Sequence, residues 1–157
     1  MNKKWQNGLA LLASVGLVLF VDLLGRNGPD AWYETLAKPW YMPPHWAYPI
    51  IWIPLYGINA FCAWLVWLER NRHKDVFGAV VFYLVQLILN MQFSNIFFKL
   101  HRMDIAFYEI VTLVVVVCLC NFMFWRVNRL SGVLYLPYTL FVAYQAVICF
   151  AFWQMNS

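Results

Sequence analysis

Five long apolar runs dominate the chain: Gly8 to Leu24, Ala47 to Leu68, Val76 to Phe98, Ile105 to Trp125 and Gly132 to Trp153. Roughly 20 apolar residues carry an α-helix across the hydrocarbon core of a bilayer. The runs have that reach, and none shows the two-residue alternation that a barrel strand needs. Composition forces the same conclusion. Of 157 residues, 64% are hydrophobic and 11% charged, against about 45–50% and about 25% in soluble domains. A small soluble domain has too much surface to hide that excess. The chain therefore reads as an all-α membrane protein. Its single domain, 1–157, is a bundle of five transmembrane helices at about 8–24, 47–68, 76–98, 105–125 and 132–153, with a long structured loop, 25–46, between the first two.

Basic residues sit in the short interruptions between apolar runs, so the net charge of +4 reflects membrane topology and not nucleic-acid binding. Lys3, Lys4, Arg70, Arg72, Lys74, Arg126 and Arg129 fall on the side of the N-terminus; Arg26, Lys38, Lys99 and Arg102 fall on the other. This bias puts the N-terminus in the cytoplasm and the long loop on the opposite side. Lys3 and Lys4 before an apolar run also suit a signal peptide. No small-x-small cleavage site follows, only Asp22, Leu23, Leu24 and Gly25, so the run is kept as a membrane helix.

Cys62, Cys118, Cys120 and Cys149 lie inside apolar runs without zinc-site spacing. They read as small buried hydrophobes. His45, His73 and His101 sit in loops or at helix ends, where interfacial water solvates them. No metal is expected.

Polar residues within the runs are more telling. Gln86, Asn90 and Ser94 are four apart and share one helix face. Facing lipid would be costly, so the stripe should face other helices or a cavity. Tyr48, Trp52, Tyr56 and Asn59 form a second stripe, and Phe141, Gln145, Cys149 and Trp153 a third. Each alone is explained by helix packing with a few hydrogen bonds; three that converge point to a pocket. Pro49, Pro54 and Pro137 free backbone carbonyls, and such turns should face protein or water. Glu109 is an acid inside the fourth run. It reaches the interface, pairs with Lys99 or Arg102, or stays protonated.

The loop stretch WYETLAKPWYMPP, from Trp32 to Pro44, is more than a connector. It holds four aromatics and three prolines, a composition suited to a semi-rigid shape. Gly25 and Gly28 precede it as possible hinge points. An interfacial aromatic belt would use the same residues.

Taken together, WYETLAKPWYMPPHWAYPIIWIPLY, QLILNMQFSNIFF, PYTLF and FWQMN resemble the hallmark blocks of the translocator protein family, also called tryptophan-rich sensory proteins or peripheral-type benzodiazepine receptors. The resemblance covers nearly the whole chain. It implies a five-helix bundle, a homodimer, and a cavity opening toward the first loop, which acts as a lid. It also implies the ligand class: tetrapyrroles such as protoporphyrin or haem, and related apolar molecules, with no cofactor required. By the same resemblance Trp32 and Tyr33 cover the pocket, Lys38 lies at its rim, and Trp52, Tyr56 and Asn90 match pocket positions.

Departures from the family pattern mark further candidate positions. Tyr41 and Phe93 stand where Trp is usual, Gln145 where a small Ala is usual, and Ile148 and Cys149 replace a Leu-Asn pair. Phe150 and Gln154 stand where a sterol-type pattern expects Tyr and Arg. The resemblance thus implies a tetrapyrrole-binding protein or sensor of a bacterial cell membrane. Its alternatives are a light- and oxygen-dependent porphyrin-degrading enzyme assisted by Trp52, and a carrier of porphyrin or sterol. The chain has no conventional acid–base pair or nucleophile, and no inverted repeat or midplane ion site.

Overall fold

The computed structural model describes residues 3–25 and 27–157, the side chains of residues 3, 4 and 6 excepted. Arg26, counted above among the loop bases, lies outside the described residues, as do the side chains of Lys3 and Lys4. Five long helices form the bundle: α1 (Lys3–Gly25), α3 (Ala47–Leu68), α4 (Val76–Ser94), α5 (Met103–Val127) and α6 (Arg129–Asn156). A short α2 (Ala31–Thr35) stands in the first loop, and a π-helical turn, Asn95–Lys99, extends α4. All five long segments have the length and hydropathy to cross a membrane.

Packing follows from where the small and aromatic residues fall. Helix α5 buries Ala106, Ile110, Leu113, Val117, Cys120 and Phe124, a stripe at three- and four-residue intervals. It meets α6, where Tyr135, Tyr138 and Val142 are buried. Phe124 and Tyr135 touch edge to face, 4.9 Å apart. The remaining contacts place α4 against α5, α3 against α6, and α1 against both α3 and α4. Outward faces carry exposed Leu12, Phe77, Phe122 and Leu140, as lipid contact requires. Cys118 shares that outer face, while Cys62, Cys120 and Cys149 are buried.

Two glycines permit close approaches. A Cβ on Gly132 would stand 2.6 Å from the Trp125 Cα, so only glycine lets α6 fold back on α5 through the single residue Asn128. The Asn128 side chain caps α6 by accepting from the Ser131 amide at 3.2 Å. A Cβ on Gly25 would lie 3.1 Å from the Met91 Cα. Gly25 thus seats the end of α1 against α4, a packing role where the sequence suggested a hinge.

Prolines 54 and 137 sit inside α3 and α6, which run on through them. Both are exposed on the outer face, contrary to the expectation that such turns face protein or water, while Pro49 lines a cavity beneath the first loop. The next residues, Leu55 and Tyr138, about 100° round each helix, are buried in the bundle.

Candidate functional site

Between α1, α3, α4 and α6, beneath the first loop, lies a cavity of about 800 Å³. That falls within the roughly 300–1,000 Å³ typical of small-molecule sites. All three polar–aromatic stripes reach it. Tyr48, Trp52 and Tyr56 come from α3, Asn90 and Ser94 from α4, and Gln145 and Cys149 from α6. Phe93, Tyr33 and Tyr138 complete the described wall most relevant here.

The aromatic wall is braced by ring contacts. Trp52 tilts against Tyr56 at 5.2 Å and meets Phe141 edge-on at 5.1 Å. Behind it runs a hydrogen-bond relay. The Asn90 amide donates to the Tyr138 hydroxyl at 3.0 Å, and that hydroxyl donates to Gln86 Oε1 at 2.6 Å. Tyr138 and Gln86 are fully buried, so the relay fixes the cavity floor between α4 and α6. Asn90 therefore both lines the cavity and bonds a neighbouring helix. Ser94 donates weakly to the Asn27 carbonyl at 3.5 Å. Asn59 lies deeper, fully buried, with neither side-chain polar atom partnered.

The loop covers one end of the cavity and is held at several points. Asp30 caps α2 by accepting from the Tyr33 amide at 2.9 Å, and its other oxygen meets His101 Nε2 at 2.9 Å. The Tyr33 amide bond, aided by His101, holds the Asp30 carboxyl below its ordinary pKa. Further on, the Asn156 side chain bonds Ala37 at both its amide and its carbonyl. The Tyr144 hydroxyl donates to the Tyr41 carbonyl at 2.7 Å. Tyr33 is buried among Phe97, Phe98 and Phe152, and burial drives its hydroxyl pKa well above the ordinary phenol value. The π-helical turn supplies Phe97 and Phe98 to this cluster; single π turns of this kind often mark functional sites.

Of the sequence-derived residues, Tyr33, Trp52, Tyr56, Asn90, Phe93, Gln145 and Cys149 line the cavity, and Trp32 and Lys38 do not. Trp32 stacks on the His101 ring, 4.1 Å away at 22°, outside the lining. Lys38 pairs with Glu34 at 2.7 Å and lies over the Tyr33 ring at 4.7 Å. Trp40 is 93% exposed and Trp46 70%, so these two point outward as belt aromatics do. Glu109 keeps both carboxylate oxygens buried without a partner, and Arg102 pairs with Asp104 instead.

Sequence reasoning missed the contribution of α1. Val15, Val18, Leu19 and Asp22 line the cavity, at three- and four-residue spacing. That spacing was readable, but with Asp22 as the one polar member it does not stand out in an apolar run. Phe97, Phe98 and Phe152 were hidden for a similar reason: phenylalanines in a greasy chain carry no distinguishing signal.

A family model described as TspO/MBR family matches residues 9–154. Protein CrtK of Rhodobacter capsulatus is 34% identical over 82% of this chain and 80% of its own. A tryptophan-rich sensory protein of Cereibacter sphaeroides is 30% identical over 99% of this chain and 95% of its own. The human translocator protein is 29% identical over 99% and 94% respectively.

Proposed function

As the chain belongs to the TspO/MBR family and is a multi-pass integral membrane protein, we propose that it binds a flat apolar ligand of the tetrapyrrole class within the helix bundle. The observation that carries this reading is the wall of the cavity. Trp52, Tyr56, Phe93 and Tyr138 offer ring faces and edges, while Asn90 and Gln145 offer a few fixed polar groups. Such a site suits a planar, mostly apolar molecule with scattered polar atoms. Gln145 Oε1 is buried without a partner, which leaves an acceptor for a ligand N–H.

Ligand carboxylates belong at the loop end in this reading. His45 lines the cavity there, and Lys38 stands nearby, within reach once it leaves Glu34. A homodimer, the family expectation, forms part of the same proposal and is read from the mass of the protein in nanodiscs. The experiment is a titration with protoporphyrin in nanodiscs, first in the dark and then under light. Saturable tryptophan quenching in the dark supports a binding protein or sensor. Loss of the porphyrin band under light, beyond that in empty nanodiscs, supports the degrading enzyme. No saturable quenching would end the tetrapyrrole reading.

A further inference from the structure

We propose that ligands reach this cavity sideways from the bilayer, through a slit between α1 and α3; the proposal rests on the binding role above and adds a route to it. The route is marked by residues that line the cavity and are also exposed on the bundle's outer surface. On α3 these are Pro49, Ile53 and Gly57, spaced four apart, so they form one continuous lip. On α1 they are Val15 and Leu19, also four apart, and they form the facing lip. Ile53 is 70% exposed and Leu19 58%. Trp52 and Tyr56, which face the cavity, are half-buried, so facing the cavity alone does not account for exposures as large as these.

The slit has defined ends. One helical turn past Gly57, Ala60 still lines the cavity but is buried, so the gap closes there. Farther along, the Trp64 indole donates to the Asn7 carbonyl at 2.9 Å and ties α3 to α1. Glycine at position 57 keeps the lip low: a Cβ there would have nothing within 4 Å. Val15, Leu19, Ile53 and Gly57 lie in the interior of the two spanning segments, Asn7–Gly25 and Ala47–Leu68, where acyl chains are the neighbours.

Gly28, Pro29 and His45 at the loop end also line the cavity and are exposed, but that end is fastened by three sets of contacts: Asp30 to His101, Ala37 to Asn156, and Tyr41 to Tyr144. Opening that end means breaking several hydrogen bonds and exposing the Tyr33 cluster to water. Opening the slit needs only acyl chains to move aside. An apolar ligand partitions into the bilayer first, so the lateral route also meets it where it is most concentrated.

The test needs no knowledge of the natural ligand. The full chain is placed in phosphatidylcholine nanodiscs containing a phosphatidylcholine with a diazirine on its acyl chain, irradiated, and mapped by peptide mass. We expect labels on the back wall at Leu87 and Tyr138, as well as on lipid-facing Leu12 and Phe77. Gly57→Trp, and separately Ile53→Trp, should remove the back-wall labels and keep the outer ones, which also report that the bundle is intact. An unlabelled back wall in the wild type, or one still labelled in both variants, overturns the proposal.

Protoporphyrin release supplies a second readout. Release should slow about tenfold in Gly57→Trp, since a plugged route acts on rate constants, and should stay unchanged in Asn156→Ala, which unfastens the loop. Faster release on unfastening, with no effect of the plug, would make the loop the route. If the wild type fails to bind protoporphyrin, the tetrapyrrole reading falls, and the lipid labelling alone decides the slit.

Discussion

Asn156, the last residue of α6, holds Ala37 in the first loop by both of its backbone groups. Its side-chain carbonyl accepts from the Ala37 amide at 2.8 Å, and its amide donates to the Ala37 carbonyl at 3.1 Å. A second hydrogen of that amide returns to the Phe152 carbonyl at 2.9 Å, which fixes the side chain in place. The two contacts mimic one step of a β ladder, and they join residues 119 apart in sequence.

Asn156→Ala should therefore loosen the loop without disturbing the bundle. Two hydrogen bonds of ordinary strength are worth about 1–2 kcal/mol net, which corresponds to roughly tenfold faster local opening. Amide exchange at residues 36–41 reports it, with α5 amides as the internal reference. Equal protection in the variant would show that the Tyr144–Tyr41 bond and the Tyr33 cluster hold the loop unaided.

Trp52 is the next test. It lines the cavity, and its ring contacts are to Tyr56, Phe141 and Tyr138. Trp52→Ala should weaken protoporphyrin binding by about 1–3 kcal/mol, the scale of a lost buried aromatic surface. Isothermal or fluorescence titration in the dark measures it. A folded variant with unchanged affinity but reduced thermal stability would reassign Trp52 to packing alone.

The five spanning helices were legible because lipid imposes a length and a hydropathy that few other environments do. The pocket was legible in part, because polar residues such as Asn90 and Gln145 are costly in a bilayer and so announce themselves. Two kinds of feature were not. Helix α2 depends on a cap, Asp30 to the Tyr33 amide, five residues long and too short for any periodic signal. Trp32 and Lys38 carried the right chemistry for a pocket, but their placement depends on His101 and Glu34. His101 has a positive φ of 54°, a backbone state uncommon outside glycine although His, Asn and Asp adopt it more readily than most, and its position opposite Asp30 follows from a turn geometry that composition does not encode. The slit between α1 and α3 was also out of reach, because it is a relation between two helices and not a property of either.

Asn90 is predicted to carry both a structural and a ligand role. Asn90→Leu removes its donation to Tyr138 but leaves the Tyr138–Gln86 bond. Interhelical bonds of this kind in membranes average about 0.6 kcal/mol and reach about 1.7, so thermal unfolding in detergent should shift only slightly. Because Asn90 also lines the cavity, the variant should shift preference between protoporphyrin and a ligand lacking hydrogen-bonding groups. Gln86→Leu is the control: it breaks the other half of the relay from a position outside the cavity lining. If the two variants match in stability and in every ligand affinity, Asn90 acts only as helix glue.

The last prediction concerns pH and the fastening at Asp30. The carboxyl accepts from the Tyr33 amide and meets His101, and its pKa is held below the ordinary 3.8. The group's folded-state pKa is depressed. Its contribution is therefore complete above the unfolded value and is lost as pH falls through the lower folded value. From neutral pH down to about 5, Asp30 should stay charged, since its unfolded pKa is only about 3.9, and its contribution to α2 should not change. Below that, protonation weakens both the cap and the His101 contact, and so loosens the imidazole on which Trp32 stacks. Two variants separate these effects. Asp30→Asn keeps a capping oxygen and removes the charge, so α2 persists and the acid transition disappears. Asp30→Ala removes both, so the amides of Ala31–Thr35 lose protection at every pH. Protection factors for these amides, taken from pH 3 to 7, give the outcome directly. A transition of equal size in Asp30→Asn and the wild type would assign the acid sensitivity to another group and leave Asp30 as a cap only.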